Sequence, residues 1–237
     1  MTTTSRITPS GNLSGILARA LQIALVLLLQ GALLFLVSGR FDWTWAWVVL
    51  GIYLVSISIN ASFMLRLSPD TVAERGTAQL THNWDKILSA LWALMQYLII
   101  PVVAALDVRL LWSGHPALGW HVAGAVLLAA GLGIFGWAMI TNAYFSTAVR
   151  IQSERGQTVC TSGPYRLVRH PGYGGALLQS IGIPLLLGSW WALIPGLLAA
   201  AFMTARTAFE DRLLQRELHG YSDYAHRVRY RLVPGIW

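Results

Sequence analysis

Cysteine, lysine and charged side chains in general are scarce in this sequence. One cysteine, Cys160, in 237 residues excludes an internal disulfide framework and a zinc-thiolate cluster, and no run of His, Asp or Glu has metal-ligand spacing. No resident metal is expected. Only 11% of the residues are charged, against about 25% in a soluble domain, while 55% are apolar and the mean hydropathy is +0.55. That leaves too little polar surface for a water-soluble shell, so the chain reads as a polytopic membrane protein.

Apolar runs with at most one charge each extend from about Ile16 to Val37, Trp43 to Leu67, Ile87 to Ala105 and Ala117 to Ile140, each long enough to cross a hydrocarbon core of about 30 Å. The first exceeds a signal-peptide core, lacks an A-x-A-like cleavage site and is followed at once by the second, so it is expected to be a span. A last apolar region, Ala176 to Thr204, is interrupted by Pro184, Gly188-Ser189 and Pro195. As one helix it would be about 45 Å long, more than a crossing needs. As a hairpin turning near Gly188-Ser189-Trp190, it returns the chain to the side it left.

The basic residues favour the hairpin. With the amino terminus inside, the cytoplasmic side collects Arg6, Arg19, Arg66, Arg75, Lys86 and ten later arginines, 15 in all, and only Arg40 and Arg109 fall outside. Trp43, Trp45, Trp47, Trp112, Trp120, Trp190 and Trp191 then gather at the outer ends as an interfacial belt. The expected fold is an all-α polytopic membrane protein: four transmembrane helices plus a closing helical hairpin, with a four-span region at 1–140 and a carboxyl-terminal region at 141–237. The basic residues flank spans without an aromatic-basic recognition pattern, which argues for membrane lipids and against nucleic acid as partners.

Three short patterns invite a functional reading. A G-x-G-x-x-G at Gly131, Gly133 and Gly136 lies inside the fourth span, where small residues serve helix packing and not a dinucleotide. The stretch QTVCTSGPYRLVRHPGY, 157–173, is polar, aromatic and rich in turn residues, an irregular loop in which Arg169 and His170 can bind an anion or a polar ligand. Arg206 and Glu210, at i, i+4 and followed by Asp211, share one helical face where the hairpin leaves the hydrocarbon.

That stretch, the hydrophobic hairpin after it, the R-x-x-x-E-D step from Arg206 to Asp211 and the tail GYSDYAHRVRYRLVP together resemble the isoprenylcysteine carboxyl methyltransferase family. This is a branch of the membrane methyltransferases that also include phospholipid methyltransferases. Upstream, SPDTVAERG and Trp84-Asp85-Lys86 are similar to the corresponding loop of bacterial relatives. The resemblance implies an S-adenosyl-L-methionine-dependent methyltransferase, with the donor in a cytoplasmic pocket built from the carboxyl-terminal third. By position, Gln157, Thr158, Val159, Cys160, Tyr165, His170, Pro171, Gly172 and Tyr173 correspond to the donor-contacting motif, with Gln152 a further contact. Glu210 matches a donor-contacting carboxylate and Arg206 the arginine beside the methyl acceptor. Gln157 stands where relatives often have His, and Asp211 where Glu is common.

The implied acceptor is a lipophilic molecule with a carboxylate or other oxygen, entering laterally from the bilayer, with the Arg206 guanidinium on the hydrocarbon side and Glu210 on the donor side. The arginine-rich, lysine-poor composition suggests a bacterial inner membrane. An NADPH-dependent membrane reductase of the sterol reductase type and a non-enzymatic membrane protein stand as alternatives. In a Cys160→Ser background, a cysteine at Asp223 is expected to label only from the cytoplasm and one at Asp42 only from outside. Labelling of both from one side would mean that the last apolar region is a single span.

Overall fold

The computed structural model describes residues 9–77 and 82–237, leaving Arg6 of the charge count outside the described residues. The described residues form nine α-helices: α1 (Pro9–Ser38), α2 (Thr44–Leu67), α3 (Pro69–Thr77), α4 (Asn83–Leu94), α5 (Ile100–Leu110), α6 (Leu118–Thr141), α7 (Pro171–Leu187), α8 (Leu193–Glu217) and α9 (Tyr221–Arg227). Four spans, Leu13–Ser38, Thr44–Leu67, Asn83–Leu110 and Leu118–Thr141, are long and apolar enough to cross a membrane. After them α7 and α8 fold back on each other as the expected hairpin.

The third span is longer than the apolar run because Asp85 and Asp107 at its two ends are buried with hydrogen-bond partners, so charge does not end the helix. It combines α4 and α5 through a π turn at Met95–Ile99. Pro101 explains the turn: it has no N–H for the carbonyl of Tyr97, four residues earlier. Gln30 of α1 donates its Nε2 to that carbonyl at 2.8 Å. The turn also buries Gln96, whose Oε1 accepts from Ser180 Oγ of α7 at 2.9 Å.

Glycines set the approach of α6 to α7. A Cβ on Gly124 would lie 2.1 Å from the backbone nitrogen of Leu186, and one on Gly131 would lie 2.6 Å from the carbonyl oxygen of Gly175. Gly175 and Gly182, seven residues apart like their partners, meet Gly131 and Gly124 in return. The G-x-G-x-x-G is therefore two packing glycines and a bystander: Gly131 faces α7, Gly136 faces the Asn60 side chain, and Gly133 has nothing within 4 Å of an added Cβ.

The hairpin turns at Gly188, in the left-handed region at φ 76°, a conformation that favours glycine. Asp107 holds the tip, accepting from Ser189 Oγ, from Ser113 Oγ at 2.5 Å and from the Ser113 backbone N–H at 2.7 Å. Trp190 packs edge-on to Trp120 and Trp191 to Trp112, so four of the seven belt tryptophans meet at this end. Pro184 lies inside α7 and does not end it. The carbonyl it leaves without an N–H, that of Ser180, is backed by Gly196 of α8, where a Cβ would come within 2.4 Å.

Gly124→Ala and Gly131→Ala are expected to force α6 and α7 apart and cost about 1–3 kcal/mol each, as overpacking does. Gly133→Ala should be nearly neutral. Thermal unfolding of the three detergent-purified variants checks this, and equal behaviour would remove the packing account.

Candidate functional site

The motif stretch is fastened at its centre to Asp211. This carboxylate, fully buried near the end of α8, accepts at Oδ1 from Arg169 Nε at 2.7 Å and from the Tyr221 hydroxyl at 3.0 Å, with His170 Nε2 3.2 Å away. At Oδ2 it accepts from Arg169 Nη2 at 2.9 Å, Arg231 Nε at 2.8 Å and Gln215 Nε2 at 2.8 Å. Burial opposes ionisation, but the hydrogen bonds from His170 and Arg169, with Arg231, outweigh it and hold the carboxyl well below the usual carboxylate range. Arg169 spends its remaining reach on the carbonyls of Val228 and Arg229, and the N–H groups of Arg169 and His170 bond the carbonyls of Tyr230 and Arg231. The anion expected at Arg169 is thus Asp211 of the protein itself.

Arg206 and Glu210 do not meet directly. The Tyr173 hydroxyl stands between them, accepting from Arg206 Nη1 at 2.7 Å and donating to Glu210 Oε2. The Arg206 guanidinium does not face hydrocarbon: it is buried, its Nε 2.7 Å from Asp85 Oδ1 and its Nη2 donating to the Thr147 carbonyl at 2.9 Å. A guanidinium at a bilayer boundary needs a counter-charge, and Asp85, at the start of the third span, supplies it. Asp85 also accepts from the Val149 backbone N–H at 2.8 Å, which fixes the segment 142–152 against α8.

These fastenings shape a cleft with an interior volume of about 100 Å³. Gln152, Gln157, Thr158, Val159, Cys160, Tyr165, His170, Gly172, Tyr173 and Glu210 all line it, ten residues singled out from the sequence and now in one place. Pro171 is buried at the first turn of α7 and lies outside the lining, as does Arg206. The amide of Gln152 is spent on the Tyr144 carbonyl at 2.8 Å and on Arg155 Nη1 at 2.6 Å, holding the turn beside the cleft. His170 stacks parallel to Tyr173 with ring centres 5.8 Å apart, and the Tyr165 hydroxyl faces Asn142.

Sequence reasoning missed Asp85, the anchoring role of Asp211, and Tyr144 and Phe145 in the cleft wall. The available signal was the likeness of Trp84-Asp85-Lys86 to the loop of bacterial relatives, which gave Asp85 no partner. Asp211→Asn should leave the Arg169 and Arg231 guanidinia without a carboxylate and cost about 3–5 kcal/mol at neutral pH. Because the folded carboxyl is held low, its stabilisation is full above the unfolded pKa of about 4 and is lost as pH falls below it. The gap between the unfolding curves of parent and variant is expected to hold from pH 7 to about pH 5 and to narrow by about 1 kcal/mol at pH 3, since the folded carboxyl titrates lower still; a gap unchanged at pH 3 contradicts this.

Comparison with known proteins agrees with this arrangement. Residues 120–219 match the phospholipid methyltransferase family model. A probable protein-S-isoprenylcysteine O-methyltransferase of Oryza sativa, from both subspecies indica and japonica, is 32% identical over 115 residues, 46% of this chain and 60% of the relative. The cobalt-zinc-cadmium resistance protein CzcN of Cupriavidus metallidurans is 33% identical over 100 residues, 41% of this chain and 45% of that protein. The chain thus spans about 60% of the length of the rice relatives. The solved eukaryotic intramembrane Ras methyltransferase, isoprenylcysteine carboxyl methyltransferase, shares the fold with a TM-score of 0.55 at 20% identity, over 92% of this chain and 75% of that one. The sequence match is centred on the elements that build the cleft and the fold is matched over nearly the whole chain, so the chain is similar to the isoprenylcysteine carboxyl methyltransferase-like membrane methyltransferases.

Proposed function

We propose that the protein transfers a methyl group from S-adenosyl-L-methionine to a carboxylate or other oxygen of a lipophilic acceptor. One observation carries the reading: ten residues matched to a donor-binding motif from sequence alone line a single cleft with the Glu210 carboxylate in its wall. Its chemistry suits a donor that carries both an ammonium and a sulfonium charge, since Glu210 offers an anion and Tyr144, Phe145, Tyr165 and Tyr173 offer aromatic faces.

When bound, the donor supplies an electrophilic methyl group on sulfur. Held by Glu210 and His170, it would pass that methyl to an acceptor oxygen, whose lone pair would make the C–O bond while the S–CH₃ electron pair stayed with sulfur. No proton need move if the acceptor is a carboxylate. The protein's work is positioning and exclusion of water. Glu210 holds the donor's ammonium and His170 hydrogen-bonds its polar portion. Gln152, Gln157, Thr158, Val159 and Cys160 frame the loop, Pro171 and Gly172 set the first turn of α7, and Tyr165 closes the wall. Arg206 positions Tyr173 and directs its remaining N–H groups to the acceptor. In this reading the carboxyl-terminal region 141–237 is the cytoplasmic catalytic unit and the spans of 1–140 admit the acceptor from the bilayer.

Glu210→Gln keeps the shape of the site and removes its charge, and is expected to weaken binding of radiolabelled S-adenosyl-L-methionine roughly ten- to a hundredfold, with NADPH failing to compete in the parent. Arg206→Lys should leave donor affinity within about threefold yet lower turnover much more, because an ammonium cannot span Asp85, Tyr173 and Thr147 as the planar fork does. Parent-like donor binding in Glu210→Gln, or displacement of the donor by NADPH, would overturn the reading.

A further inference from the structure

We infer that Arg75, on α3, receives the acidic head of the methyl acceptor beside Phe145 of the cleft wall, an inference that rests on the methyltransferase reading above. Three arginines are buried among the described residues: Arg75, Arg169 and Arg206. Arg169 and Arg206 each have a carboxylate oxygen at 2.7 Å. Arg75 has no carboxylate within ion-pair distance among the described residues, and its neighbour Glu74 turns to Arg150 at 3.2 Å and Ser146 Oγ at 3.0 Å.

Two aromatic rings hold the Arg75 guanidinium instead, with its carbon 5.7 Å from the centre of Phe135 and 5.1 Å from that of Phe145. Aromatic faces attract the cation, but they are weak acceptors and leave its in-plane N–H groups available for an anion. Burial and the nearby charge of Arg19, only partly opposed by Glu74, pull this guanidinium down to about 9, which marks a pocket short of negative charge.

The position is right for substrate. Phe145 touches both, its ring centre 5.1 Å from the Arg75 guanidinium carbon and its edge within 2.8 Å of a Cβ placed on Gly172 in the first turn of α7, so the guanidinium sits beside a residue of the cleft wall. Tyr173, whose hydroxyl joins Arg206 to Glu210, is within electrostatic reach of Arg75, and so is Tyr97. The indole N–H of Trp92, edge-on to Tyr97 with centres 5.5 Å apart, is buried without an acceptor among the described residues. A guanidinium without a carboxylate and an indole N–H without an acceptor, both in the neighbourhood of Tyr97, suit a carboxylate on an apolar tail.

The test is binding of palmitate and of N-acetyl-S-farnesylcysteine, each against its methyl ester, to the purified full chain in lipid nanodiscs. The parent should prefer at least one acid over its ester roughly ten- to a hundredfold. Arg75→Met, which keeps the apolar stem between the rings, should lose that preference, and Arg75→Lys should retain part of it, both with S-adenosyl-L-methionine affinity within about twofold of the parent. A parent with no preference for either acid, an Arg75→Met variant that keeps the preference, or donor and acid affinities that fall together would each overturn the assignment. Failure of the parent to bind S-adenosyl-L-methionine would count against the methyltransferase reading alone, because the preference of acid over ester is read without the donor.

Discussion

A carboxylate with no solvent contact, Asp211, ties its own helix to three other pieces of chain. Arg169 and His170 bring the motif stretch, Gln215 belongs to the same helix, Tyr221 begins α9, and Arg231 brings the tail. Without the shared anion these groups would repel one another, two guanidinia and an imidazole competing for one small volume. With it, the loop carrying the cleft residues becomes as fixed as the helices beside it, although 157–170 contains only one short 3₁₀ turn, Gly163–Arg166. The cleft walls inherit their rigidity from this one charge.

A second buried pair does the same across the spans. Asp85 and Arg206 join the third span to α8, and the segment between α6 and α7 is caught between them through the Val149 N–H and the Thr147 carbonyl. Thr71 and Glu74 add bonds to Ala143 and Ser146 from α3. One wall of the cleft is therefore held by residues from the first half of the sequence, and the division at 140/141, clear in hydropathy, is crossed by hydrogen bonds and an ion pair.

This explains which features could be read from the sequence. The spans and the hairpin were legible because hydrocarbon imposes length and apolarity on each segment independently of its neighbours. Ten residues of the cleft were legible because they lie in two local patterns, 152–173 and 206–211. The partners of those residues were not, because Asp85 and Arg206 are 121 positions apart and nothing in either local pattern names the other. Arg206 and Glu210 looked like an i, i+4 pair, yet a tyrosine from α7 divides them. The π turn was missed although its cause, Pro101 within an apolar run, was visible; the missing element was the rescuing donor, Gln30, on another helix.

That rescue has a consequence for how the chain is assembled. Pro101 deprives the Tyr97 carbonyl of its usual partner within the span, and left bare in hydrocarbon it would cost several kcal/mol. Its donor is on α1, which is synthesised and inserted first, so the side-chain amide of Gln30 is already in the bilayer when the third span arrives. The order of translation thus supplies the donor before the need for it exists, and the bent span has a docking address waiting for it. An amide in the first helix and a proline in the third form a lock whose halves are delivered in the sequence that lets it close.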